Sequence, residues 1–340
     1  MMDELTSAAE LPDDGTDVAL RPQRLSDFAG QPQSTEQLAV VLQAALQRGE
    51  PAPHLLFSGP PGLGKTTLAQ IVAHEMGVGT AFKSTSAPSL EKPGDLVALL
   101  TSREPGDVLF IDEVHRLPRV LEEILYPAME DFVVDIVIGD GPDAKSLRLP
   151  LPPFTLVAAT TRSGLLSAPL LDRFGLELNF EFYDDDTLAG IIARSARLLG
   201  TDITDQAAAE LGCRSRGTPR IANRLLRRVR DYAQVQGNGT IDAATLAGGL
   251  ALFGIDSIGL DKISTRVLDV LTGTYAGRPL GLKTLATAVG ESPDTIEDSV
   301  EPFLIRKGLI DRTPRGRTAT TAAYTHLNRN PPVNHQLRIA

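Results

Sequence analysis

Residues 59–66 read GPPGLGKT. The string fits G-x-x-x-x-G-K-[ST] and stands between a short apolar run, HLLFSGP (54–60), and a stretch of helical periodicity, TTLAQIVAHEM (66–76). In that stretch Leu68, Ile71 and Val72 share one face. The order strand, glycine-rich loop, helix decides the fold, because such a loop works only where a buried strand delivers it to a helix N-terminus. Gly59, Gly62 and Gly64 allow the backbone to wrap phosphates with its N–H groups, and the helix adds the positive end of its dipole. Lys65 is then placed for the β- and γ-phosphates of a nucleotide, and the Thr66 hydroxyl for Mg²⁺. A chance glycine-rich turn would not need all three features together.

Two further apolar runs, DVLFIDE (107–113) and FTLVAATT (154–161), read as buried strands, with a helix VLEEILYPAMEDF (120–132) after the first. Short all-apolar strands divided by helices predict a parallel α/β sheet covered on both faces. Asp112 ends its strand, where a carboxylate has no packing reason to be, and suits the Mg²⁺ water shell. Glu113 beside it is placed to polarise an attacking water as general base, and Thr161 to orient that water. A helix start at Asp-Glu and a capping role for Thr161 are the alternatives. Arg173 in LLDRFG (170–175) is a candidate arginine finger reaching a neighbouring subunit, and Arg220 in RGTPR (216–220) a candidate phosphate sensor in cis. Taken alone, each is as well read as a surface arginine.

Between the second and third strands, FVVDIVIGDGPDAKSLRLPLPPF (132–154) places two alternating runs around GDGPDA, a β-hairpin projecting from the sheet at about 133–152. After Tyr183 the chain turns helical through DTLAGIIARSARLLG, AAAELGCRSRG and TPRIANRLLRRVRDYAQ, a small domain ending near Phe253, with GIDSIGLD (254–261) as linker. Three more helical segments follow, the last opening with Ser292 as N-cap and Pro293 at its first position. ID, RTPRGR and TATTAAYTHL then read as strand, turn and strand, which completes a winged helix. The expected division is a mobile acidic tail at 1–19, a large domain at 20–183, a small helical domain at 184–255, a winged helix at 256–329 and a tail at 330–340.

The 340 residues carry a net charge of −10, but unevenly: −13 over 1–183, +1 over 184–255 and +2 over 256–340. Phosphate contact is short-ranged and screened, so a net-acidic chain can hold nucleic acid through one locally basic module. Within DRTPRGR (311–317), Arg312, Arg315 and Arg317 are the candidates, a solvated loop being the plainer reading. One cysteine, Cys213, excludes an internal disulfide framework and suits a reducing cytoplasm. Five scattered histidines show no metal spacing, no apolar run is long enough for a membrane span, and the acidic N-terminus is unlike a secretory signal.

The phosphate loop, the acidic strand end, LLDRFG and GTPR follow the order of AAA+ ATPases. The strings LRPQRLSDFAGQ (20–31), REPGDVLFIDEVHRL (103–117), LYPAMEDF (125–132), FTLVAATTRSGLL (154–166), RSRGTPRIANRLLRRVRD (214–231) and RTPRGR narrow this. Together they closely resemble the RuvB family over residues 18–327. The resemblance implies an α/β P-loop AAA+ domain, a small all-α lid and a C-terminal winged helix. It also implies an ATP- and Mg²⁺-dependent hexameric motor on double-stranded DNA that drives Holliday-junction branch migration with RuvA, and RuvC as resolvase. By the same resemblance Leu20, Arg21 and Tyr183 make adenine-side contacts, with Glu130, Asp131 and Phe132 near nucleotide. Gly62, Gly64, Lys65, Thr66 and Thr67 hold phosphate and Mg²⁺, Arg173 is the finger in trans and Arg220 the cis sensor. The hairpin docks on RuvA, and Arg312, Arg315 and Arg317 meet the DNA backbone. A nucleotide-dependent assembly factor with a protein-binding wing is the rival function; a metabolic P-loop kinase lacks an acceptor domain in 184–340.

Overall fold

Five short strands form the centre of the first unit: β1 (Leu55–Ser58), β2 (Lys83–Ser86), β3 (Val108–Asp112), then, past a hairpin, β6 (Thr155–Thr160) and β7 (Leu176–Asn179). They are all parallel, in the order β2-β3-β6-β1-β7. In this computed structural model residues 19–77, 82–138 and 145–332 are described. Most of both tails and the hairpin turn GDGPDA lie outside them.

The three apolar runs became β1, β3 and β6, the middle of the sheet, and every residue of β1 and β6 is buried. Leu56, Leu109, Ile111 and Leu156 pack against the helices Pro93–Thr101 and Arg119–Glu130. Residues of the opposite alternation, Phe57 and Phe110 among them, are equally buried, so both faces are covered. β2 and β7 are edge strands. The first reads Lys-Ser-Thr-Ser and the second alternates, so neither shows the apolar run that marks an interior strand.

The hairpin pairs β4 (Val133–Ile138) with β5 (Lys145–Pro150) in antiparallel register, Asp135 facing Arg148. Those two side chains make a bidentate pair at 2.9 and 3.0 Å, and the guanidinium holds the Asp135 carboxyl below its usual range.

By contact the chain divides into residues 21–183 and, among the described residues, 19–20 with 184–332. The second unit opens with four helices, Asp185–Leu198, Asp205–Arg214, Pro219–Gln236 and Ala243–Leu252. The fourth, AATLAGGLAL, escapes a propensity reading because of Gly248 and Gly249. Packing explains both: a Cβ on Gly248 would lie 2.4 Å from the Tyr232 hydroxyl, and one on Gly249 3.3 Å from Val229.

Beyond them the helices Lys262–Thr272 and Leu282–Val289 precede a third, and these surround a core of Leu268, Leu285, Phe303 and Tyr324. Ser292 caps the third helix by accepting from the Thr295 amide at 3.0 Å. Its first part, Thr295–Val300, is wound as a π-helix before Glu301–Arg306 resumes α geometry. Pro302 cannot donate to residue 298, and widening the preceding turn avoids the clash. The wing then pairs β8 (Ile310–Thr313) with β9 (Gly316–Ala319), and Leu280 exchanges two backbone hydrogen bonds with Arg317. The expected second strand, TATTAAYTHL, is strand only at its start. Thr320 caps a short helix, Thr321–His326, by accepting from the Ala323 amide, and alanine-rich sequence continues it.

Candidate functional site

Residues 59–66 leave the carboxyl end of β1 and enter the helix Lys65–Glu75. Gly59, Gly62 and Gly64 have φ of 136°, 80° and 97°, values that only glycine adopts cheaply. At Gly59 space matters as well, since a Cβ would meet the Phe180 carbonyl oxygen at 2.5 Å. Lys65 is buried, and its ammonium donates to the Gly59 and Pro60 carbonyls at 2.7 and 2.8 Å. Thr66 and Thr67 stand in the first helical turn, half-buried.

Because β6 lies between β1 and β3, the carboxyl ends of three strands meet beside the loop. Asp112 ends β3 half-buried, with its Oδ1 accepting from the Glu113 amide at 2.9 Å. Glu113 has φ of 52°, a left-handed backbone that a glutamate adopts only under constraint. Its Oε2 accepts from the Thr161 hydroxyl at 3.3 Å and lies 3.3 Å from His115 Nδ1. That nitrogen is also 2.9 Å from the Thr160 hydroxyl. Thr161 just past β6 and His115 past β3, itself held by Thr160, thus fix the carboxylate that the sequence marked as base. His115 was not singled out beforehand; two residues after Glu113, it carries no spacing that announces the contact. A hydroxyl at Thr66 and a carboxylate at Asp112 form a hard oxygen set that fits Mg²⁺.

Tyr183 covers the other side of the loop. It is buried, donates its hydroxyl to the Leu63 carbonyl at 3.1 Å, and burial pushes its pKa up, opposed in part by Gln31. The ring leaves no room for a Cβ on Gly30, which would lie 2.4 Å from it, and Phe28 closes on Gly64. Phe28 and Gly30 are therefore part of this wall; they lie in the string LRPQRLSDFAGQ (20–31), though neither had been given a role. Arg21 donates to Gln70 on the helix after the loop at 3.4 Å. Leu20 falls in the second unit, where its carbonyl accepts from Arg194 at 2.9 Å.

A second group sits at the other ends of the strands. His54, just before β1, donates from Nε2 to the Met129 carbonyl at 3.0 Å and accepts the Leu156 amide at Nδ1 at 2.9 Å. Burial lowers its basicity, with Met129 opposing. Phe132 packs at a tilt against His54 and edge-on against Phe154, with ring centroids 6.2 and 5.9 Å apart. Arg173 lies 4.4 Å over the Tyr126 ring, pairs with Glu130 at 3.0 Å and donates to the Pro169 carbonyl. Strands of four to six residues put roughly 13–20 Å between the two ends. Within one chain Glu130, Asp131 and Phe132 therefore stand away from the phosphate loop, and Arg173 stands with them.

The second unit holds the remaining candidates. Arg220 is exposed at the second position of the helix Pro219–Gln236. On the wing the three arginines are not equivalent. Arg315 occupies the two-residue turn with Pro314 and is exposed, with no charged partner among the described residues. Arg312 is exposed and pairs with Glu297 at 3.0 Å. Arg317 is only 7% exposed, makes a bidentate pair with Glu301, itself 1% exposed, and lies 3.7 Å from Glu297. Arg317, expected with the other two at the DNA backbone, is instead held inward by Glu301 and Glu297 on the preceding helix, which neutralise it. Among the described residues no helix is long and apolar enough to cross a membrane.

Three family models cover the chain in sequence. The Holliday junction DNA helicase RuvB P-loop domain matches residues 20–180, the RuvB AAA lid domain 183–256 and the RuvB C-terminal winged helix domain 257–328. A Holliday junction branch migration complex subunit RuvB from a Parafrankia strain is 54% identical over 328 residues, 96% of this chain and 92% of that one. The solved Thermotoga maritima RuvB Holliday junction branch migration motor superposes with a TM-score of 0.83 at 46% identity, covering 92% of this chain and 100% of that one. A point mutant of RuvB from the same organism gives 0.84 at 46% identity, with 92% and 99% covered.

Proposed function

Because the chain belongs to the RuvB family of Holliday junction branch migration motors, we propose that it couples ATP hydrolysis at the phosphate loop to movement along double-stranded DNA. One observation supports the chemistry above the others: Glu113 is held in a strained backbone by Thr161 and His115 at the strand ends beside Lys65. A carboxylate so fixed can take a proton from water attacking a γ-phosphate in line. Lys65 and the loop amides would neutralise the phosphates, and Thr66 and Asp112 would hold Mg²⁺, which would supply further charge neutralisation there. Gly62, Gly64 and Thr67 complete the cradle, and Arg21, Leu20 and Tyr183 take the adenine side.

Arg173, at the far ends of the strands, acts on a neighbour's nucleotide, with Glu130, Asp131 and Phe132 on the same subunit face. Arg220 reports nucleotide state in cis. This assignment fits a ring of six, and the hairpin of β4 and β5 is the docking element for RuvA, RuvC joining as resolvase. On the wing, Arg315 and Arg312 meet phosphates without reading bases, and Arg317 shapes the strand that carries them. The exposed wing offers Arg, Thr and Pro, which favours nucleic acid over the apolar surface a protein-binding wing would present. Cytoplasmic residence fits these partners.

Glu113→Gln tests the chemistry. The variant should bind an ATP analogue as the parent does, yet lose ATP turnover by about 100-fold or more and cease to move a synthetic four-way junction. Unchanged turnover would remove Glu113 as the base.

A further inference from the structure

The stretch GIDSIGLD (254–261), read in sequence as a linker, is pinned along its length. Asp256 accepts the Ile258 and Leu260 amides at 3.0 and 2.7 Å through one oxygen, and its other oxygen meets His326 at 2.7 Å. Gly259 has φ of 89°, and a Cβ there would meet the Arg214 carbonyl oxygen at 2.6 Å. Asp261 caps the first helix of the winged-helix domain by accepting from the Ser264 amide at 2.9 Å.

Arg216 drives into this stretch from the small helical domain. Its Nη2 lies 3.1 Å from Asp261, its Nε donates to the Gly259 carbonyl at 2.7 Å, and its guanidinium stands 4.7 Å over the Phe303 ring. Its own carbonyl accepts from Arg306 at 2.5 Å. The residue is 6% exposed and adopts φ of 56°, a left-handed backbone unusual for arginine. One side chain thus binds the linker, the cap of one winged-helix helix and the aromatic face of another. Four residues later comes Arg220, the proposed nucleotide sensor. On the Asp261 side, burial would raise the carboxyl but Arg216 and the Ser264 amide hold it down, so the pair is charged.

We infer that Arg216 and Asp261 are positioning residues that lock the small helical domain to the winged helix, so that both turn as one lever. The inference rests on the motor reading for its purpose, but not for its geometry. A compliant linker would let displacement of the sensor helix dissipate before it reached the wing; a bolted one transmits it. Domains joined by a small polar interface move relative to one another by default, so such a bolt has work to do.

Asp261→Asn is the test, because asparagine still caps a helix while surrendering the charge. Spin labels at the exposed positions Val235 and Ala322 report the separation of the two domains in the full chain, without nucleotide or DNA. A narrow distance distribution in the parent and a broadened one in the variant are expected. In a junction assay with the RuvA partner, duplex affinity and DNA-stimulated ATP turnover should stay within about twofold of the parent. Base pairs migrated per ATP should fall by about tenfold, the size of coupling between linked sites. An equally narrow distribution with unchanged migration per ATP would overturn the inference. If Asp261→Asn does not fold, Phe303→Leu keeps the ion pair and removes the ring beneath Arg216. It should broaden the distribution in the same sense, and no broadening there counts equally against the bolt. A parent protein with a narrow distribution but no ATP-driven migration would instead sink the motor reading alone.

Discussion

Replacing Arg317 by alanine separates what holds the wing from what it touches. The guanidinium sits on β9 with 9% of its side chain exposed, facing a Glu301 carboxylate with 2% exposed. Removing one member of such a pair leaves the other charged and buried, which costs about 3–5 kcal/mol. That is a large part of the roughly 5–15 kcal/mol that stabilises a whole domain. Arg315→Ala removes a charge from an exposed turn and should change stability by no more than about 0.5 kcal/mol. The affinities should divide the other way: Arg315→Ala keeps the wing folded but loses a phosphate contact, lowering the salt slope of duplex binding by about 0.9. Amide hydrogen exchange over β8 and β9, with duplex titrations at several salt concentrations, reads both. A control sharpens the test: Arg317→Met with Glu301→Leu removes both charges together, and stability should recover to near that of the parent. Native exchange protection in Arg317→Ala, or a double variant as unstable as the single one, would refute the burial reasoning.

Two other outcomes are expected. Mixing Arg173→Ala subunits with Lys65→Ala subunits should restore part of the ATP turnover, since some interfaces then combine an intact loop with an intact arginine; no recovery at any ratio removes the role in trans. The His54 imidazole is held neutral by burial, so the unfolded chain takes up its proton first as pH falls through about 6.5. Stability should therefore decline below that pH until the folded imidazole itself titrates. Denaturant midpoints of His54→Gln should decline less steeply over the same range, and identical slopes would show that His54 carries no such linkage.

The sequence was most legible where one requirement dominated. Interior strands must be apolar throughout, and β1, β3 and β6 announced themselves; β2 and β7, free of that demand at the edges, did not. The phosphate loop was legible because glycine spacing, a lysine and a helix start are all local. Glu113 was legible as a type at a strand end, but its clamp was not, because Thr161 arrives from just past β6 and His115 from a turn past β3. Arg317 shows the same limit. Its partner Glu301 lies sixteen residues earlier on a helix interrupted by Pro302, and nothing local distinguishes it from Arg315.

The turn between β8 and β9 has a consequence for the kind of duplex this chain can travel. Pro314 fixes one backbone angle, Gly316 at φ of 132° absorbs the bend against Leu280, and the Thr313 hydroxyl ties the turn to the Gly316 carbonyl at 2.8 Å. Only the side-chain torsions of Arg315 remain to adjust. On the proposed reading such a tip can follow a sugar-phosphate strand through changes in groove width, and a lone guanidinium engaged with phosphate positions the chain without reading a base. Mispaired or heterologous stretches should therefore pass beneath the wing unrecognised, and any resistance to them must come from the DNA itself.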